Sequence, residues 1–348
     1  MRPLPEETHR AHPHPAASGP LDPAAAYAEI SPLIAERMAR VEKEFSAWLE
    51  SNVEIVSRLS AYVSEGCGKR LRPALLLLCA GLVDYDGEHD VLFGTVFEFI
   101  HTATLVHDDI IDEADVRRGR ASLNRSWGND LSVLMGDHLY LKAMKMALRA
   151  GDLRILDLLA DVTLKMIEGE LIQAHVNGRP DITEEQYLDI AERKTALLFS
   201  ACCQVPAMLA RRPAAEERAL ADYGRNLGMA FQVVDDILDL TSNEKTLGKP
   251  VGGDLRKGRL TLPLVYLLRF GKAQHRKIVL QVVHEETFSS ASREQILTAL
   301  IETGALQMSR EIARSYAAGA RCHMQGFPSN PFRRALLAVP DFVLSRES

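Results

Sequence analysis

Two acidic stretches, Asp108-Asp109-Ile110-Ile111-Asp112 and Asp235-Asp236-Ile237-Leu238-Asp239, constrain this 348-residue chain more than any other feature. Each follows a largely apolar stretch, with Phe97, Phe99, Ile100, Leu105 and Val106 in one case and Phe231 to Val234 apart from Gln232 in the other, so each reads as the end of a buried helix. In a helix the outer aspartates of each group stand four apart and share a face, at roughly 5–6 Å between Cβ atoms. The middle ones, Asp109 and Asp236, point about 100° away and flank the pairs. Such carboxylates repel one another, and burying them requires a metal ion or a positive partner. Two helices of this kind, face to face, set six carboxylates around one cavity. That oxygen donor set suits Mg²⁺, which keeps waters and bridges to phosphates.

The rest of the chain reads as helix after helix. Residues 1–23 are rich in Pro, His, Ala and Glu and have little to bury, so a disordered tail is expected before a single domain over 24–348. Ile30, Leu33, Ile34, Met38, Val41, Phe45 and Leu49 then form an amphipathic stripe, which Val53 to Val63 continues. Gly66-Cys67-Gly68 breaks the pattern, and Pro73 sits in the first turn of a nearly all-apolar helix through Val83. Beyond the first acidic group, Ser132–Leu148, Asp152–Val176, Gln186–Ala210 and Glu216–Leu240 read as helices, and further segments run from Thr261 to Ser345. No alternating strand pattern bounded by turn signals occurs. The expected fold is all-α: one large bundle of about a dozen helices around a central cavity.

Composition excludes several functions. A net charge of −6 gives no basic field for nucleic acid. The five cysteines are scattered without metal-ligand spacing and read as core thiols of a reducing compartment. No apolar run is long enough for a membrane span, and the N-terminus lacks a secretory core, so a cytoplasmic protein is expected.

Basic residues complete the pattern. Lys69, Arg70 and Arg72 stand at a helix start, where backbone N–H groups also favour an anion. Arg117 and Arg118 follow the first acidic group, and Lys194, Lys249, Lys257 and Arg259 occur in the second half. Each alone would read as solvated surface charge. Beside metal-binding acids they imply a polyanionic substrate, with diphosphates the best fit.

From Gly68 onward the chain resembles the trans-isoprenyl diphosphate (polyprenyl) synthases, and medium- to long-chain members of the octaprenyl and solanesyl type in particular. The motifs are Gly68 through Pro73, His101 through Arg118, Gly169-Glu170, Lys194-Thr195, Phe231 through Asp239, and Gly248 through Pro263. The resemblance implies head-to-tail condensation of isopentenyl diphosphate with an allylic diphosphate by a homodimer. It implies that Asp108, Asp112 and Asp235 hold about three Mg²⁺, with Asp239, Asp109 and Asp236 in support. Arg117, Lys194, Thr195, Gln232 and Lys249 would contact the allylic diphosphate, and Lys69, Arg72, His101 and Arg118 the isopentenyl diphosphate. Catalysis would centre on Asp108, Asp112, Lys194, Asp235 and Asp239. Lys257 and Arg259 depart from the family's more usual Glu and Lys, and Arg259 ranks below Lys249 on that account.

Product length would be set by the residues preceding Asp108, namely Ala103 and Thr104, with Ile100 and Phe97 one and two turns deeper. Small residues at the first two positions resemble synthases that make quinone side chains. A farnesyl- or geranylgeranyl-length synthase, or one subunit of a heteromeric synthase, remain as alternatives. A terpenoid cyclase would carry an Asn/Ser/Glu-type second motif in place of the repeated aspartates.

Overall fold

The computed structural model describes residues 23–66, 68, 70–117, 119–242, 251–285 and 287–346. The expected tail lies almost wholly outside these residues, as do Lys69, Arg118 and Lys249. The fold is all-α, as expected; the strand content described is one hairpin of two residues a side, Val116–Arg117 (β1) with Arg120–Ala121 (β2). Gly119 at φ 77° makes its turn, a conformation that glycine adopts without steric penalty. The first half of the chain comprises α1 (Pro23–Leu49), α2 (Glu54–Glu65), α3 (Leu71–Leu82), α4 (His89–Ile111), α5 (Leu123–Trp127), α6 (Asn129–Ala147) and α7 (Leu153–Val176). The second half comprises α8 (Glu184–Ala191), α9 (Leu197–Leu209), α10 (Ala214–Thr241), α11 (Gly253–Arg256), α12 (Leu262–Phe270), α13 (Ala273–Glu285), α14 (Ser290–Glu302), α15 (Ala305–His323) and α16 (Pro331–Ser345).

Two long helices occupy the centre. Helix α4 packs against α6, α3, α1 and α9, and α10 packs against α9, α15 and α16. Both are apolar along most of their length: Phe93, Val96, Phe97, Phe99 and Ile100 of α4 and Leu227, Val233, Val234 and Ile237 of α10 are fully buried. At about 25 cal/mol per Å² of apolar surface, each such side chain contributes about 1.5–3 kcal/mol. The two acidic groups therefore sit at the ends of helices fixed by the core.

Where one helix over Gln186–Ala210 is expected, α8 and α9 are parted by a π turn, Glu192–Ala196, closed by the Leu197 N–H on the Glu192 carbonyl. The wider turn inserts a surplus residue, a feature that commonly re-aims side chains at functional sites. Gly169 makes room for it. A Cβ there would stand 2.8 Å from the Arg193 Cβ and 2.9 Å from the Lys194 Cγ.

Candidate active site

The α4 helix ends at Ile111, so Asp112 is its C-cap, with its N–H still bonded to the Asp108 carbonyl at 2.8 Å. Asp112 thereby keeps helical geometry and the face of Asp108. Asp109 turns inward, is 3% exposed, and accepts from Arg117 Nε at 2.6 Å. Burial raises its carboxyl above the ordinary range, with Arg117 opposing the rise. Asp108 is pushed up to about 7, chiefly by burial and then by the charge of Glu170, against the pull of Lys194.

Asp112 behaves the other way. Burial raises it, but Arg259 and Lys257 outweigh burial and hold the carboxyl below its ordinary value. Arg259 binds it in a bidentate fork: Nη1 donates to Oδ2 at 3.0 Å and Nη2 donates to Oδ1. Lys257 Nζ stands 3.3 Å from Oδ2. The planar fork matches both carboxylate oxygens where a lysine offers a point charge; Lys249, ranked above Arg259 on sequence grounds, lies outside the described residues.

The π turn carries Lys194, which pairs with Glu170 and acts on Asp108 of the first acidic group, and Thr195, which reaches the second through Gln232. Lys194 Nζ pairs with Glu170 Oε1 at 2.9 Å, and Thr195 Oγ1 donates to Gln232 Oε1 at 2.6 Å. Gln232 Nε2 in turn donates to Asp236 Oδ1 at 2.7 Å, and the buried Tyr187 hydroxyl donates to Asp236 Oδ2 at 2.6 Å. Asp236 is thus held from both sides inside the protein, its carboxyl raised by burial and by nearby Asp254. Asp239, 1% exposed, accepts from the Asp254 N–H at 3.3 Å, and its carbonyl accepts from the Gly252 N–H at 2.8 Å. Asp235 faces outward and accepts from Arg346 Nη2 at 3.2 Å. A cavity lies here, lined among others by Lys194, Gln232, Asp236, Asp254, Arg259 and Thr261.

Arg346 has no motif around it, and sequence reasoning passes over it. It stands 4.5 Å over the Phe231 ring; Phe231 tilts against Phe199 at 5.4 Å, and Arg72 stands 4.8 Å over Phe199. Two guanidinium groups therefore bracket an aromatic pair. Arg70, in a left-handed conformation at the head of α3, anchors to Glu42 and Glu98 at 2.7 Å each. Arg70 is thus a structural anchor. Glu170, Tyr187 and Asp254 join Arg346 as site residues outside the expected set; Glu170 and Asp254 lie within motifs read from the sequence, the Gly169-Glu170 dipeptide and the Gly248–Pro263 stretch, while Tyr187 and Arg346 lie in none.

His101 lies on α4, part-exposed, and its carbonyl accepts from Thr104 Oγ1 at 2.8 Å. Ala103, Ile100 and Phe97 are buried where α4 meets its neighbours, and none of them lines that cavity.

Among the described residues no three His, Cys, Asp or Glu side chains converge tightly enough to hold a metal unaided. The carboxylates instead stand on two helices, Asp108 and Asp112 at the end of α4 and Asp235 and Asp239 near the end of α10. Such an arrangement suits an ion that takes one or two carboxylates, several waters and substrate phosphates, as Mg²⁺ does.

The chain is similar to known proteins over most of its length. The polyprenyl synthetase family model matches residues 53–300. The octaprenyl diphosphate synthase of Escherichia coli K12 is 38% identical over 319 residues, covering 92% of this chain and 98% of that protein. Component 2 of the Geobacillus stearothermophilus heptaprenyl diphosphate synthase is 33% identical, covering 90% of this chain and 97% of that one. A polyprenyl synthase from Caulobacter crescentus CB15, solved with calcium and isoprenyl diphosphate, superposes with a TM-score of 0.88 at 33% identity, over 92% of this chain and 98% of that one.

Proposed function

The chain belongs to the polyprenyl synthetase family, and on that footing we propose that it adds isopentenyl diphosphate to an allylic diphosphate to build an all-trans polyprenyl diphosphate of medium to long chain. The observation that carries this reading is the pair of acidic helix ends on α4 and α10, each with a guanidinium on an aspartate, Arg259 on Asp112 and Arg346 on Asp235. Asp108, Asp112 and Asp235 would hold about three Mg²⁺ with the diphosphate oxygens, with Asp239, Asp109 and Asp236 supporting them. Bound there, Mg²⁺ supplies the charge that lets the allylic C–O bond ionise. Arg117, Lys194, Thr195, Gln232 and Lys249 hold the allylic diphosphate and stabilise the charge that gathers on it as it leaves. Lys69, Arg72, His101 and Arg118 hold isopentenyl diphosphate so that its double bond reaches the allylic cation. The released diphosphate accepts the proton then lost. The apolar face of α4 keeps water from the cation.

The test is incubation of the purified chain with Mg²⁺, farnesyl diphosphate and labelled isopentenyl diphosphate, followed by chromatography of the products. Elongation to medium or long chains is the expected result. Failure to elongate any allylic primer would overturn the reading, and activity appearing only with a second protein would favour a heteromeric synthase.

Arg346 positions Asp235 in this scheme. Arg346→Ala is expected to lower kcat/KM about tenfold or more at limiting Mg²⁺, the size of a lost charged hydrogen bond. A Mg²⁺ titration identical to that of the parent would show that the contact is idle.

A homodimer is supported by another feature. Leu134, Leu141 and Leu148 recur every seven residues along α6 and the turn after it, and Leu164, Ile167 and Leu171 recur at three and four along α7; all are well exposed. Stripes of that kind are the mark of a protein interface. The double variant Leu141→Glu, Leu164→Glu is expected to halve the molar mass measured by light scattering. A parent protein that is already monomeric at micromolar concentration would remove the argument. No helix among the described residues is long and apolar enough to cross a membrane.

A further inference from the structure

One short segment, residues 251–261, touches both acidic groups at once. Through its backbone, Gly252 and Asp254 donate to Asp239 of the second group. Through its side chains, Lys257 and Arg259 bind Asp112 of the first. The segment is itself tied down: the Arg259 N–H donates to the Asp254 carbonyl at 2.9 Å, and the Gly178 N–H donates to the Gly258 carbonyl at 2.8 Å. Arg259 is charged at every accessible pH, and its Nη1 also lies 3.5 Å from Asp254 Oδ1, while its buried Nε has no partner.

Asp112 is therefore already neutralised, twice over, by the chain's own cations. A divalent ion arriving alone would have to displace both and then sit beside two positive charges left without an acceptor, a repulsion that grows as water is excluded. It would also meet too few converging carboxylates, since among the described residues no three of them gather at one point. A diphosphate changes both conditions. Its oxygens complete the coordination shell, and they accept the displaced ammonium and guanidinium.

We propose that Lys257 and Arg259 are resident counter-ions of the first acidic group, holding Asp112 until a metal-bound diphosphate arrives and then passing to its oxygens, so that divalent metal binds here only together with diphosphate. Lys257 is in this account a positioning residue that sets the order of loading. The inference rests on the proposed reading of the site as a metal–diphosphate site.

Mn²⁺ binding to the full chain, monitored by the loss of the free-ion signal in electron paramagnetic resonance, tests it with and without inorganic diphosphate. The parent protein is expected to bind Mn²⁺ at least about tenfold more tightly with diphosphate than without, once the metal–diphosphate complex in buffer is accounted for. Lys257→Gln is expected to raise binding without diphosphate about fivefold, the effect of removing one half-exposed cation. Lys257→Arg should restore the parental value. Equal binding by the parent in both conditions overturns the proposal, as does a Lys257→Gln protein, folded by its melting temperature, that binds Mn²⁺ like the parent. Absence of binding in both conditions overturns it too, and with it the reading of the site.

Discussion

Asp108→Asn is expected to lower kcat by about 10²–10³-fold and, in the presence of a chelator near neutral pH, to melt at a higher temperature than the parent. The two effects share a cause. Burial and Glu170 push the Asp108 carboxyl from 3.8 to about 7 when no metal is bound. Between those values the native protein holds a proton that the unfolded chain has released, so this group's contribution to stability falls as pH rises through that window. Above it, a buried charge is being tolerated for the sake of the site. Asparagine has the shape without the charge and removes the penalty, worth a few degrees in melting temperature for a chain of this size. Asp112→Asn goes the other way. The carboxyl of Asp112 is held below 3.8, so the native state releases that proton more readily than the unfolded one. Its contribution is present above that value and lost as acid titrates it. Calorimetry of the two variants with chelator present, from acid to neutral pH, separates them; a lower melting temperature for Asp108→Asn near neutral pH would mean that Asp108 is paired and stabilising.

Ala103→Phe is expected to shorten the product by several isoprene units. Ala103 is 2% exposed on α4, and five residues of helix rise place it about 7.5 Å from Asp108 along the axis. A growing tail laid along this face meets that position first. Ile100 and Phe97, about 12 and 16 Å away, come later. The site is tightly packed, so a phenyl group also costs about 1–3 kcal/mol in overpacking. The product profile is therefore read on protein shown to be folded, beside Ala103→Val as a smaller step on the same face. Products of parental length from a folded Ala103→Phe enzyme would show that the tail takes another route.

The features legible in the sequence are those that repeat or break a period. The all-α fold follows from apolar spacing that never alternates, and Asp108 and Asp235 stand out because each begins the same five-residue pattern at the end of an apolar run. Pairing across sequence distance escapes. Arg259 reaches Asp112 over 147 positions and Arg346 reaches Asp235 over 111. Nothing local distinguishes Arg346 from the other arginines, and only packing of α16 against α10 brings it to Phe231. The π turn escapes for a related reason. Residues Gln186 to Ala210 keep an apolar run that suits one helix, and the surplus residue is accommodated only because Gly169 leaves space. Asp109 and Asp236 read from sequence as flanking carboxylates, but it takes the fold to show that Arg117, and Tyr187 with Gln232, already hold them.

The extra residue in that turn also separates two rotational phases. Helix α8 packs against α7, α10 and α12, while α9 packs against α3, α4, α7 and α10. A continuous α-helix would lock both faces to one phase, and losing one residue between Glu192 and Ala196 would turn α8 by about 100° relative to α9. With the surplus residue in place, each helix keeps the rotation that its own neighbours demand. Lys194 and Thr195 sit at the junction, so their aim is the difference between two independently fixed angles.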